Sequence, residues 1–163
     1  MSKEPSGLRC GLGYDTHRLV EGRELVLGGI EIPSPRGLLG HSDGDVLTHA
    51  IADALLGAAG LGDIGHYFPD SDPQWKDASS LKFLDTIRHL LAETGLRILN
   101  VDTTIVLDQP KLAPYIPQIK ESLAAALAVE PAQVNIKAKT SEGLFPASFP
   151  MATAHAVALL TKA

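Results

Sequence analysis

The chain has 163 residues, 45% of them hydrophobic and 20% charged, which are ordinary values for a globular protein long enough to bury one core. A net charge of −5 without a basic block excludes a general nucleic-acid surface, and no apolar run approaches membrane-spanning length. The single cysteine, Cys10, excludes an internal disulfide and fits a reducing compartment, and Met1–Leu8 has neither an apolar leader core nor an Arg/Ser-rich presequence, so a cytoplasmic protein of a single domain over 1–163 is expected.

Leu8 to Tyr14 is short, apolar and glycine-bearing, and predicts a strand that delivers Asp15 and His17 at its end. Glu24–Leu27 and Ile30–Ile32 flank Gly28-Gly29 as a tight hairpin, and Pro33–Gly40 reads as a loop. Ser42-Asp43-Gly44-Asp45 fits a capping box with Ser42 as N-cap, Asp replacing the usual Glu or Gln. A helix over Val46–Ala59 follows, closed by Gly60. Leu61–Asp77 is a long polar loop, a length often used for function. Ser79–Glu93 is an amphipathic helix, Ile98–Leu107 a strand, Ile116–Leu127 a helix and Gln133–Lys139 a strand; Ala152–Lys162, rich in small residues, reads as a final helix. The order does not alternate strictly, so a doubly wound sheet is not expected. An α+β two-layer sandwich is, with a mixed β-sheet carrying helices on one face. The other face then needs cover, which a homo-oligomer supplies.

The stretch from His41 to His49 packs two histidines and two aspartates around a helix start. Upstream, Asp15 and His17 are two apart in a strand, so they share a face and can bind one ion together. A third ligand comes from His41 or His49. Asp53, one turn beyond His49 on the same helix face, can orient that imidazole or shape a pocket rim. His41, just before the helix, is placed to donate to an anion held there. Two histidines and a carboxylate with an open fourth position are the donor set of catalytic zinc. Thr140 and Ser141 can donate to phosphate oxygens and Glu142 can hold a second, hard cation. Lys111 alone reads as part of a polar turn, and Asp43 and Asp45 as helix-start residues. Spacing alone therefore indicates a metal site that handles phosphate.

The chain resembles the 2-C-methyl-D-erythritol 2,4-cyclodiphosphate synthase family of the non-mevalonate isoprenoid pathway. The resemblance rests on Gly13-Tyr14-Asp15-Thr16-His17-Arg18, His41-Ser42-Asp43-Gly44-Asp45 through His49, and Asp53-Ala54-Leu55-Leu56-Gly57. It continues in Gly62-Asp63-Ile64-Gly65, Phe68-Pro69-Asp70, Asn100-Val101-Asp102, Pro110-Lys111 and Lys137 to Leu144. It implies a homotrimer with active sites between subunits, and zinc on Asp15, His17 and His49. It implies transition-state stabilisation by His41 and Thr140, and magnesium or manganese on Glu142 through the diphosphate. Substrate contacts are implied for Ser42, on phosphate at the helix mouth, for Asp53, and for Asp63, Ile64, Gly65, Phe68, Pro69, Asp70, Ser71 and Asp72 on the methylerythritol side. For the cytidine diphosphate part they are implied for Leu107, Asp108, Gln109, Pro110, Lys111, Leu112, Ala113, Lys139 and Ser141 of the neighbouring subunit. The implied reaction converts 4-diphosphocytidyl-2-C-methyl-D-erythritol 2-phosphate into the cyclic diphosphate and CMP. The partner is thus a small cytidine diphosphate substrate, without nucleic acid or membrane.

One stretch departs from the family. Its usual Gly-Phe-x-Gly-Arg-x-Glu-Gly is replaced by Leu144-Phe145-Pro146-Ala147-Ser148-Phe149-Pro150-Met151, without the arginine and glutamate that face the trimer's central cavity in the family. Two other readings of the same residues are a zinc-dependent phosphoesterase, with Asp63 or Asp70 as base, and a non-catalytic metal-dependent nucleotide-binding module.

Overall fold

The computed structural model describes residues 7–163; the leaderless reading of Met1–Leu8 lies, as far as Ser6, outside the described residues. In chain order the elements are β1 (Leu8–Glu21), β2 (Leu25–Leu27), β3 (Ile30–Ile32), β4 (Arg36–Leu38), α1 (Val46–Ala59), α2 (Ile64–Tyr67), α3 (Leu81–Glu93), β5 (Leu96–Val106), α4 (Ile116–Leu127), β6 (Val134–Lys139) and β7 (Met151–Lys162). Five strands form one sheet in the order β4-β1-β7-β5-β6, and β2-β3 is a separate hairpin. Only β5 and β6 are parallel, joined through α4; the other neighbours are antiparallel. The fold is a mixed α+β arrangement with a mixed sheet, as the sequence predicts.

Burial in β1 alternates. Gly11 and Gly13 are buried, Asp15 and His17 are half-buried on the same face, and Leu8, Leu12 and Tyr14 on the other face are exposed. α1 lies on the glycine face so closely that a Cβ at Gly13 would stand 1.7 Å from the Ala50 carbonyl oxygen, and one at Gly11 2.0 Å from that of Ala54. The facing strand supplies Ala152, Ala154, Ala156 and Ala158, all buried under the same helix. Small residues on both strands thus set the helix depth, and that depth brings a helix side chain within reach of Asp15 and His17.

The structure departs from the sequence expectations at five points. The final segment is β7, not a helix. Its alanines repeat every second residue because each meets α1 at close range, and this tertiary contact overrides alanine's helix propensity. Ser42 does not cap α1. Gly44 takes a left-handed turn (φ 73°), and Asp45 caps the helix instead, accepting from Thr48 N at 3.0 Å. Two further segments predicted as loops hold short elements: β4 in the first, and α2 with a 3-10 turn at Pro73–Trp75 in the second. β1 also continues past Tyr14, so Asp15 and His17 sit within the strand rather than at its end.

The Asp45 carboxylate, fully buried, also accepts from Thr48 Oγ1 at 2.7 Å and from Gly29 N at 2.8 Å in the β2–β3 turn. Gly28 and Gly29 both have positive φ (57° and 75°), which makes that two-residue turn possible. One side chain therefore closes α1 and docks the hairpin. Asp45→Ala leaves three buried donors without an acceptor, and a loss of about 3 kcal/mol in urea unfolding is expected.

The sheet face opposite α1 exposes Leu8, Leu12, Tyr14 and Val157, with Tyr14 edge-on to His155 at 5.0 Å. No helix among the described residues is long and apolar enough to cross a membrane.

Candidate metal centre and cleft

Asp15 Oδ2 lies 2.8 Å from His17 Nε2 and 2.9 Å from His49 Nδ1, and the two ring nitrogens are 3.3 Å apart. β1 supplies the first two groups and the first turn of α1 the third. Each imidazole is fixed through its other nitrogen. His17 Nδ1–H donates to the Leu39 carbonyl at 2.6 Å, and His49 Nε2 meets Ser80 Oγ at 2.9 Å and Ser42 Oγ at 3.0 Å. Phe83 stacks on the His49 ring at 5.9 Å. Two nitrogens and one carboxylate oxygen, all within 4.8 Å, make a donor set that suits a divalent ion such as zinc.

Burial pushes the Asp15 carboxyl up, but hydrogen bonds and charge from His17 and His49 together outweigh it and hold its pKa at about 2. Burial pushes His17 down, and the Asp15 carboxylate, the Leu39 carbonyl and the Asp45 charge together raise it above the usual histidine value. A carboxyl depressed from 3.8 to about 2 on folding stabilises the protein above pH 4 and loses that contribution as pH falls through 2. In chelator-treated protein, Asp15→Asn is therefore expected to cost about 2 kcal/mol at pH 6, a difference that shrinks towards zero by pH 2 in urea unfolding.

The three groups stand at the floor of a cleft of about 360 Å³. His41, Ser42, Ile64, Gly65, Phe68, Pro69 and Asp70 line it. Trp75 and Phe83 line it too and were not singled out by sequence. They carry no polar signature, because their work is to pack: Phe68 stacks on Phe83 at 4.2 Å and Trp75 meets both edge-on. Asp53 shapes the rim rather than orienting His49. Its Oδ1 accepts from Ile64 N at 2.8 Å, and burial raises its pKa. Asp63 caps α2, Asp72 caps the 3-10 turn, and Ser71 lies on the exposed loop between.

The second predicted group lies elsewhere. Residues 107–113 and 139–142 are held together by Asp108, whose carboxylate accepts from Ser141 N and Ser141 Oγ, both at 2.7 Å. Those bonds depress the Asp108 pKa. Thr140 Oγ1 donates to Glu142 at 2.5 Å on the surface. None of these residues lines the metal cleft. Asp108, Gln109 and Pro110 instead line a separate cavity of about 690 Å³, with Phe145, Pro146 and Met151 of the divergent segment. That segment is anchored by the Arg18 guanidinium, 4.0 Å above the Phe149 ring.

Residues 8–161 match the model of the YgbB family. The chain belongs to the YgbB family. A 2-C-methyl-D-erythritol 2,4-cyclodiphosphate synthase of Syntrophomonas wolfei is 56% identical over 157 residues, 96% of this chain and 100% of that protein. The enzyme of the same name from Gloeobacter violaceus is 58% identical over 154 residues, 94% of each chain. A solved structure of 2C-methyl-D-erythritol-2,4-cyclodiphosphate synthase in its CDP-bound form is 45% identical, with a TM-score of 0.87 over 93% of this chain and 99% of that one. The match to the family model runs through the divergent segment as well.

Proposed function

We infer that this YgbB-family chain is a cyclodiphosphate synthase of the non-mevalonate isoprenoid pathway. It converts 4-diphosphocytidyl-2-C-methyl-D-erythritol 2-phosphate to 2-C-methyl-D-erythritol 2,4-cyclodiphosphate and CMP, a phosphorus–oxygen lyase reaction. The observation that carries this reading is the Asp15–His17–His49 cluster at the floor of a cleft walled by the 64–70 segment. The whole chain, 1–163, acts as one cytoplasmic domain.

In this reaction an oxygen of the substrate's own 2-phosphate attacks the β-phosphorus. The bond from that phosphorus to the bridging oxygen breaks, and CMP leaves with the electron pair. The attacking phosphate is already an anion, so no general base is required. The barrier lies in bringing anions together and in folding a flexible chain into a ring. A chain of net charge −5 must meet the first demand locally. When bound, zinc on Asp15, His17 and His49 and magnesium or manganese on Glu142 supply Lewis acidity and positive charge to the phosphates. His41 and Thr140 donate to oxygens on which charge builds. Ser42 contacts phosphate at the helix mouth, Asp53 contacts the substrate, and Asp63, Ile64, Gly65, Phe68, Pro69, Asp70, Ser71 and Asp72 shape the methylerythritol side. Leu107, Asp108, Gln109, Pro110, Lys111, Leu112, Ala113, Lys139 and Ser141 hold the cytidine diphosphate.

The 64–70 segment and Asp108–Pro110 line different cavities of one chain, which supports a homotrimer whose sites each take one group from each of two neighbours. The exposed stripe of Leu8, Leu12, Tyr14 and Val157 supports the same assembly. Light scattering on the purified chain is expected to give three times the 17.2 kDa chain mass. A monomer mass with full activity contradicts the shared site. Chromatography of a reaction with the cytidylyl substrate and magnesium is expected to show CMP released one-for-one with substrate consumed.

A further inference from the structure

Ser80 immediately precedes α3 and is fully buried. A serine there ordinarily turns its hydroxyl onto the free amides of its own helix, and Ser80 makes no such bond. Asp43 meets the Ser80 amide instead, Oδ2 accepting from Ser80 N at 2.9 Å. The Ser80 hydroxyl points inward, between Asp43 Oδ1 at 2.5 Å and His49 Nε2 at 2.9 Å.

On the inner side of the His49 ring, the contacts of Ser80 decide where the proton lies. A hydroxyl has one hydrogen and two lone pairs, and a carboxylate only accepts. The Ser80 hydrogen therefore goes to Asp43, and Ser80 Oγ can only accept from His49. His49 Nε2 must then carry the ring hydrogen. Ser42 Oγ, 3.0 Å from the same nitrogen and 3.3 Å from Ser80 Oγ, completes the set by donating to the remaining Ser80 lone pair. The other ring nitrogen, His49 Nδ1, faces Asp15 Oδ2 at 2.9 Å and His17 Nε2 at 3.3 Å, and is the one in place for an ion shared with them.

We propose that Ser80, held by Asp43, is a positioning residue of the metal centre: it fixes the His49 tautomer and ring angle so that Nδ1 is the nitrogen offered to the ion. The proposal rests on the reading of Asp15, His17 and His49 as metal ligands. Ser80 touches neither ion nor substrate and acts only through His49. Groups that hold a ligand histidine in this way typically change metal affinity by about 10- to 100-fold when removed.

The test uses the full chain, stripped of metal and titrated with zinc against a chromophoric chelator. The parent is expected to bind one zinc per chain, and Ser80→Ala to bind it about 10- to 100-fold more weakly. Nitrogen-correlated NMR of the zinc-loaded parent is expected to place the His49 ring proton on Nε2, hydrogen-bonded and slow to exchange. In Ser80→Ala that proton exchanges faster, a change that loss of packing alone does not require. Should Ser80→Ala fail to fold, the parent spectrum still decides: coordination through Nε2 overturns the proposal. Zinc affinity in a folded Ser80→Ala within twofold of the parent overturns it while leaving the ligand reading intact. A parent that binds no zinc overturns both.

Discussion

His49→Ala is expected to purify without zinc and to lose at least about a thousandfold in turnover. His49 is 6% exposed and supplies one of the three ligand atoms of the one such cluster among the described residues, so its loss leaves two half-buried groups. A divalent cation contributes several kcal/mol of charge stabilisation in phosphoryl transfer, and each 1.4 kcal/mol is tenfold in rate. The fold should survive better than the chemistry, because the His49 backbone belongs to α1, whose other buried side chains are untouched. Plasma emission on the purified variant gives the zinc content, and circular dichroism the fold. Full zinc occupancy in His49→Ala shows that the ion sits elsewhere.

The second large effect is expected from one methyl group. Gly13→Ala places a Cβ 1.7 Å from the Ala50 carbonyl oxygen and 2.8 Å from Ala54 N, both backbone atoms of α1 that no rotamer change can move. The helix must lift from the strand, and the layer of alanines under it loses contact. A loss of about 4 kcal/mol is expected in urea unfolding, at or above the usual range for overpacking, because the obstacle is backbone. Zinc affinity should fall with it, since lifting α1 carries His49 away from Asp15 and His17. Gly57→Ala is the control on the same helix. Nothing stands within 4 Å of a Cβ there, so a gain of about 0.5–1 kcal/mol is expected. Equal stability of the Gly13 and Gly57 variants contradicts the close-approach account.

The contrast between these glycines shows what sequence can and cannot convey. The Asp15–His17 spacing, the α1 boundaries and the Gly28-Gly29 turn are local patterns, and each is legible because backbone geometry alone determines it. The β7 strand is not legible in that way. Its alanines are there for the depth of a helix far away in sequence, and propensity points the other way. Ser42 looked like a cap because hydroxyl-to-helix spacing is a local rule; the chain instead turns at Gly44, gives the cap to Asp45 and turns Ser42 onto His49. Ser80 leaves no sequence signal and Asp43 reads only as a helix-start residue, because a hydroxyl before one helix and a carboxylate before another become partners only once the helices pack. Thr140, Ser141 and Glu142 are singled out by their donors and charge, and the rest of 107–113 and 139–142 through family resemblance. Their separation from the metal cleft is a fact of three dimensions that spacing cannot supply.

The central claim is that this site closes a ring between two phosphates of one substrate. Phosphorus NMR of the purified chain with 4-diphosphocytidyl-2-C-methyl-D-erythritol 2-phosphate, zinc and magnesium tests it directly. The account predicts that the three substrate resonances give way to the coupled pair of a cyclic diphosphate and the single resonance of CMP, with none from inorganic phosphate. Inorganic phosphate as the product, or unchanged substrate over a fully zinc-loaded chain, contradicts it.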